Sequence, residues 1–319
     1  MLNPVIPAKI GTADVEVIGG DAFREKGLNK VEMPEGLKEI GSSAFKNNEL
    51  TEVNIPDGVR LIGHSAFNSN KISRAVIGSS VEEIGWSAFA YNQLTSVVIG
   101  AGVKKIGRNA FWGNELTEAE IPDSVEEINT RVFSDNKLNS AVIGEGVKVI
   151  GRFAFSNNNL TDIKMPDNAE KIGSSAFRDN ELTEVKIPEN VKEIGWYAFA
   201  HNELTSINIP AGLKKIGNWG FRSNNLTEVK LPESLEKIGS GAFIKNKLTE
   251  VEIPESVKEI GDGGFSENNL NRVKMPADVK IVIDGIDKSF DGNFGEVYEE
   301  NNREAGTYIS EDGEWKKRG

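Results

Sequence analysis

The side chains with most chemical potential in this sequence are aromatic and carboxylate groups rather than the usual catalytic ones. Cysteine is absent, which excludes disulfides, thiolate metal sites and thiol nucleophiles. Only two histidines occur, His64 and His201. They fall about six repeat units apart, a gap of ~29 Å at the spacing of stacked strands, too wide for one active site or one metal. No glycine-rich phosphate loop precedes a helical pattern, and Asp291-Gly292-Asn293 is too short a fragment for a calcium loop. The chain therefore reads as non-enzymatic, without cofactor and without a metal site.

What remains is recognition, and two groups of residues are candidates. The first is Arg74, Val76, Ser96, Val98, Glu118, Glu120 and Val142, which occupy outward places on short strands. Exposed apolar side chains on a sheet face mark interaction sites, although valine also simply suits a strand. The second is aromatic: Trp86, Tyr91 and Trp112, with His64 beside them, and Trp196, Tyr197 and Trp219, with His201 beside them. Rings of this kind stack on sugars or grip a repetitive polymer; equally, they pack over neighbouring loops. A shift of 110 residues aligns Gly85-Trp86-Ser87-Ala88-Phe89-Ala90-Tyr91-Asn92 with Gly195-Trp196-Tyr197-Ala198-Phe199-Ala200-His201-Asn202, so the second group reads as a duplicate of the first.

Both groups hang on a repeat. Phenylalanine returns every 22 residues from Phe23 to Phe265, twelve times without a slip. A fixed period of this length marks a stack of coils, in which each unit buries its apolar face only against its neighbours. In the unit anchored by Phe45, the run Leu50-Thr51-Glu52-Val53-Asn54-Ile55 alternates like a short strand and Pro56 ends it. Val59 and Ile62 then fit a tight turn or second short strand, and Gly63 supplies a permissive backbone before the Ala-Phe anchor. Asparagine follows each phenylalanine by three residues from Asn48 to Asn268, a column that reads as an amide ladder bonded to adjacent coils. No run is long and periodic enough for an independent helix.

This Ile-Gly-x-x-Ala-Phe-x-x-Asn-x-Leu-Thr-x-Val-x-Ile-Pro unit resembles the BspA-like leucine-rich repeats of bacterial surface proteins, over roughly residues 10–285. Two departures are visible: many relatives carry cysteine where this chain has asparagine, and their unit is often one residue longer. The resemblance implies a β-rich solenoid, a leucine-rich-repeat right-handed coil of 12 regular units with irregular terminal caps. It also implies a cell-surface or secreted location and an adhesive role without catalysis. The organisation expected is a partial repeat over 1–18, the solenoid over 19–280, and a degenerate repeat with a hairpin cap over 281–319. Within the last stretch, Phe290, Asn293 and Phe294 suggest a stretched thirteenth unit, and 298–309 a closing hairpin.

A net charge of −12 disfavours nucleic acid and anionic membranes as partners, and no apolar run has the length of a membrane span. Residues 1–20 lack a basic segment followed by an apolar one, so no signal peptide is legible there. The expected partner is a protein or glycan, met by a monomer through one face of the coil. The competing reading is a spacer that projects another domain from the cell.

Overall fold

The computed structural model describes residues 4–282, 290–311 and 313–318. The irregular ends expected over 1–18 and 281–319 thus include residues 1–3, 283–289, 312 and 319, which lie outside the described part. The chain divides into two compact units, residues 1–168 and 169–319.

In residues 1–168, each 22-residue turn contributes a two-residue strand at the second apolar place. Among the described residues these are Val17–Ile18, Glu39–Ile40, Leu61–Ile62, Glu83–Ile84, Lys105–Ile106, Glu127–Ile128 and Val149–Ile150, all parallel and in register. From Leu37 to Val147 the apolar residue ahead of each strand is fixed by a tight turn, as where the Val59 amide donates to the Pro56 carbonyl at 3.1 Å. The outward strands are Glu52–Asn54, Arg74–Val76 and Ser96–Val98 in one parallel sheet, and Glu118–Ile121, Ser140–Ile143 and Asp162–Lys164 in another. The row of outward strands is therefore interrupted between Val98 and Glu118, where Val97 and Ile99 are left half-buried. Water can satisfy backbone groups on this exposed face, so the interruption costs little.

The coils are held more firmly at the phenylalanine edge. From Phe23 to Phe155 the rings stack at 5.1–5.6 Å between centroids and within 12° of parallel. Phe45 through Phe155 are wholly buried, each contributing roughly 1.5–3 kcal/mol of burial. The asparagine column closes the same edge. The Asn92 side-chain amide donates to the carbonyls of Phe67 and Phe89, both at 3.0 Å, while its oxygen accepts from the Ile72 amide at 3.0 Å. One side chain thereby satisfies three backbone groups on two turns.

Two backbone features of this edge are not visible in the repeat pattern. Residues two before and two after each phenylalanine are left-handed, with φ of 53–58° from Ser43 through Ser65, Ser87, Asn109 and Arg131 to Phe153. The glycine four residues before phenylalanine is not: Gly63 and Gly85 lie outside that region. A methyl group on Gly85 would meet backbone atoms of Gly63 and His64 at 2.6 Å. Close approach of two chains, rather than conformational freedom, selects glycine there.

In residues 169–319 the two-residue strands continue at Lys171–Ile172, Glu193–Ile194, Lys215–Ile216, Lys237–Ile238, Glu259–Ile260 and Lys280–Ile281. The outward row expected in every turn is sparser, for the same reason of exposure. It pairs at Glu250–Glu252 with Arg272–Met275 and through one bridge between Lys186 and Asn208. The phenylalanine stack runs from Phe177 to Phe265 and continues onto Phe290 at 5.2 Å, as the stretched thirteenth unit requires.

Beyond it the expected hairpin is displaced. Tyr298 lies in the short helix α1, Phe294–Glu300, and the hairpin is Gly306–Glu311 with Glu314–Arg318. Its first strand adds antiparallel to Arg272–Met275. Burial explains the shift: Phe294, Val297 and Tyr298 fall at i, i+3 and i+4 and all turn inward, a helical spacing too brief to stand out in sequence. At the other end, Lys9–Ile10 and Ala13–Asp14 form a small hairpin ahead of Val17–Ile18.

Candidate functional site: the outward strands and the phenylalanine edge

On the outward face of residues 1–168, register decides which candidates meet. Val76 pairs with Asn54 on one side and Val98 on the other, so Val76 and Val98 are adjacent. Val98 is 54% exposed and Val76 half-buried. Val142 is also exposed, but it sits between Glu120 and Lys164 in the other sheet. The seven candidates therefore form a Val76–Val98 pair with Arg74 and Ser96 beside it, and a separate group of Glu118, Glu120 and Val142.

The first group borders a cleft of about 460 Å³ between the Lys30–Glu35 segment and the first outward strands. Glu32 bonds back to the N-terminal segment, as Val76 does to Ile55: the Ile6 amide donates to the Glu32 carbonyl at 3.0 Å and Glu32 donates to Pro4. Glu52–Asn54 is the edge strand of its sheet on the side of the cleft. Val31, Met33, Val53, Pro56 and Val76 supply an apolar lining, with Lys30, Glu32, Glu52 and Arg74 as polar groups at its margin. Lys30 is paired with Glu32 at 3.3 Å. Sequence reading reached Arg74 and Val76 but not Lys30–Glu35, because no residue type announces that the sheet stops at Glu52–Asn54.

At the phenylalanine edge the aromatic candidates largely contact one another. Trp86 is 57% exposed, but one face stacks on His64 at 4.9 Å and Arg108 lies over the ring at 5.9 Å. Its backbone amide also donates to His64 Nδ1 at 2.9 Å. Tyr91 meets Trp112 at 4.8 Å, tilted by 53°, and Trp112 Nε1 donates to Asp135 at 2.7 Å. In residues 169–319, Tyr197 stacks on Trp219 at 4.8 Å with Arg178 over it at 5.4 Å. Trp196 is 54% exposed, and no ring contact involves it among the described residues. The two groups share a sequence register without sharing a geometry.

Two titratable groups of the phenylalanine edge are shifted by their surroundings. Burial pulls the His201 imidazole down, with the cations Arg178, Arg222 and Lys245 acting the same way against Asp179. Burial would raise Asp135, yet donors from Ser134, Asn157 and Trp112 hold its carboxyl below the usual range. Among the described residues no three His, Cys, Asp or Glu side chains gather to hold a metal ion. No helix there is long and apolar enough to cross a membrane.

With this repeat geometry in view, likeness to known proteins decides the family. The profile of the BspA type leucine rich repeat region matches in six copies, over residues 8–117, 104–227 and 215–286. The chain belongs to that family. Among solved structures, a leucine-rich repeat protein from Bacteroides ovatus is 27% identical, with a TM-score of 0.63 over 88% of this chain and 82% of that one. The pneumococcal vaccine antigen PcpA shares the fold at 19% identity and a TM-score of 0.50, over 94% and 86%. No curated protein is significantly similar. This BspA-type chain is thus a leucine-rich repeat protein of bacterial surface-protein type, a β-solenoid with little helix.

Proposed function

We propose that this protein is a non-enzymatic binding module, exposed on or secreted from a bacterial cell, that recognises a protein or glycan through the outward strands of residues 1–168. The observation that carries this reading is the cleft beside Arg74 and Val76, continuous with the exposed Val98. An apolar floor with a few charged groups at its margin is the usual make-up of a recognition pocket. The regular coil supplies what such a site needs, side chains at fixed intervals on a stiff frame.

The test is capture on a glycan array and on a panel of purified extracellular proteins. Wild-type protein binds at least one member, and Val98→Lys loses that binding with little change in melting temperature, because an outward valine supports little core. If Trp86→Ala with Trp196→Ala loses it and Val98→Lys does not, the site belongs to the phenylalanine edge instead. Capture unaltered in both favours a spacer. The charged outward pairs Lys274–Glu252 and Arg272–Glu250 suit that second reading, since a solvated face of paired charges invites no partner.

A further inference from the structure

Past the Phe23 turn, where Asp21 and Glu25 outnumber Arg24, the phenylalanine edge of residues 1–168 carries a charge opposite to the molecule's. Around the phenylalanines between residues 42 and 157, from three places before each to two after, stand Lys46, Arg108, Arg131, Arg152 and one acid, Asp135. The protein as a whole has a net charge of −12. Asp135 accepts from Ser134, Trp112 and Asn157, at 2.5, 2.7 and 2.9 Å, and the Arg131 charge acts on it from beyond ion-pair distance. Among the described residues no ion pair involves the three arginines; each lies over a ring instead.

Phe153 gathers two of them. The guanidinium carbons of Arg131 and Arg152 stand 4.7 and 5.1 Å from its ring centroid. Two like charges are thus no farther apart than the sum of those distances, with no neutralising carboxylate in an ion pair with either. The turns that carry them are joined by the Arg131 amide donating to the Arg152 carbonyl at 3.0 Å. Phe153 itself is left-handed at φ 57°, a conformation that disfavours a bulky side chain. Ring contact holds each guanidinium in place without using its N–H fork, which can receive an oxyanion.

We propose that Arg131 and Arg152, set against Phe153, form a site for the sulfate groups of a sulfated glycan, with Arg108 as a further contact along the same edge. The closed ring faces favour a glycan over a single-stranded nucleic acid. Nucleobases bind by stacking on open aromatic faces, whereas here His64 and Arg108 flank Trp86 and the arginines flank Phe153. Sulfates need only charge and N–H donors. The site is separate from the outward strands and does not depend on their role.

Calorimetric titration of the full chain with a heparin-derived octasaccharide tests it. Wild-type protein binds at physiological salt, and Arg131→Gln with Arg152→Gln weakens binding tenfold or more at an unchanged melting temperature. The slope of log affinity against log salt falls by about 2 in that variant. Phe153→Asn, a residue at home in left-handed backbone, stays folded and loses affinity several-fold, while Val98→Lys binds the octasaccharide as wild type does. Four outcomes overturn the proposal: no wild-type binding, full affinity in the glutamine pair, equal binding of the desulfated octasaccharide, or full affinity in Arg131→Lys with Arg152→Lys. The last would mean general charge attraction without the paired forks. Tighter binding of a single-stranded oligonucleotide, lost in the same variants, would reassign the site to nucleic acid.

Discussion

At the scale of single residues, this repeat separates two demands that both select small or polar side chains. The places two before and two after each phenylalanine need left-handed backbone, and serine, asparagine, aspartate and glycine fill most of them. The glycine four places before phenylalanine needs bare space, since a methyl group on Gly85 would lie 2.6 Å from backbone on the preceding turn. The distinction has a measurable consequence. Gly85→Ala should destabilise by ~1–3 kcal/mol in chemical denaturation, the usual result of overfilling a packed contact. Ser87→Gly, two residues away, relieves an unfavourable φ instead and should be neutral within about 0.5 kcal/mol, as its extra unfolded-chain entropy offsets the gain. The repeating glycine was legible in sequence, but its reason was not: the same residue serves both demands, and only the position of the neighbouring turn tells them apart. The cluster at Phe153 escaped for a related reason. Arg131 and Arg152 stand at different places in their units, so no single column shows them together until the turns are stacked.

Elements here are too short to be stable alone, and each is held by something outside itself. The two-residue strands of the coil survive because their isoleucines, from Ile18 to Ile260, are buried and their paired neighbours are in register. The outward strands, with one face in water, come and go along the chain. Sequence alternation marked them equally in all turns, because alternation records which side chains point inward and says nothing about whether adjacent backbones close up. The C-terminal cap shows the opposite dependence, with aromatic side chains carrying most of it. Tyr308 and Trp315 both pack edge-on against Phe294, at 5.4 and 5.1 Å. Tyr298 and Tyr308 donate to the carbonyls of Pro276 and Glu304, at 2.8 and 2.9 Å. Burial, reinforced by Tyr298 and Glu304, pushes the Tyr308 hydroxyl up to about 12 from an ordinary value of 10.0. Since the folded value lies above the unfolded one, the cap's stability is complete below pH 10 and declines as pH rises toward 12. Trp315 fluorescence, followed against pH, should report release of the cap in that interval. In Tyr308→Phe this alkaline step should shrink, and an unchanged step would remove Tyr308 as its cause.

For the molecule as a whole, the repeat makes stability a sum of neighbour terms rather than the property of one core. Phe111 stacks between Phe89 and Phe133 at 5.6 and 5.4 Å and is wholly buried. Truncating it in Phe111→Ala should cost ~3–5 kcal/mol, and hydrogen exchange should rise first in the turns on either side. Uniform loss of protection along the chain would show that folding is more cooperative than nearest-neighbour stacking allows. The 22-residue period made the stacking legible at once, along with the phenylalanine and asparagine columns. The cleft beside Arg74 was not legible, since alternation does not show that the sheet of outward strands stops at Glu52–Asn54.

The direction of the hydrogen bonds along the phenylalanine edge carries one more consequence. Phe45 donates to Ala66, Phe67 to Ala88 and Phe243 to Gly264, always toward the later turn. Along this edge each turn is polar, like a filament subunit with unlike ends: its amides reach the turn after and its carbonyls the turn before, the reverse of the strand side, where Gly85 donates back to Ile62. A turn's two surfaces are complementary, so an unguarded terminus is a template on which another copy can grow. Asp291 answers this at the far end, taking the amides of Glu267 and Asn268 on its two carboxylate oxygens at 3.0 and 3.3 Å. That carboxylate takes, with one side chain, two amides that a further turn would otherwise claim.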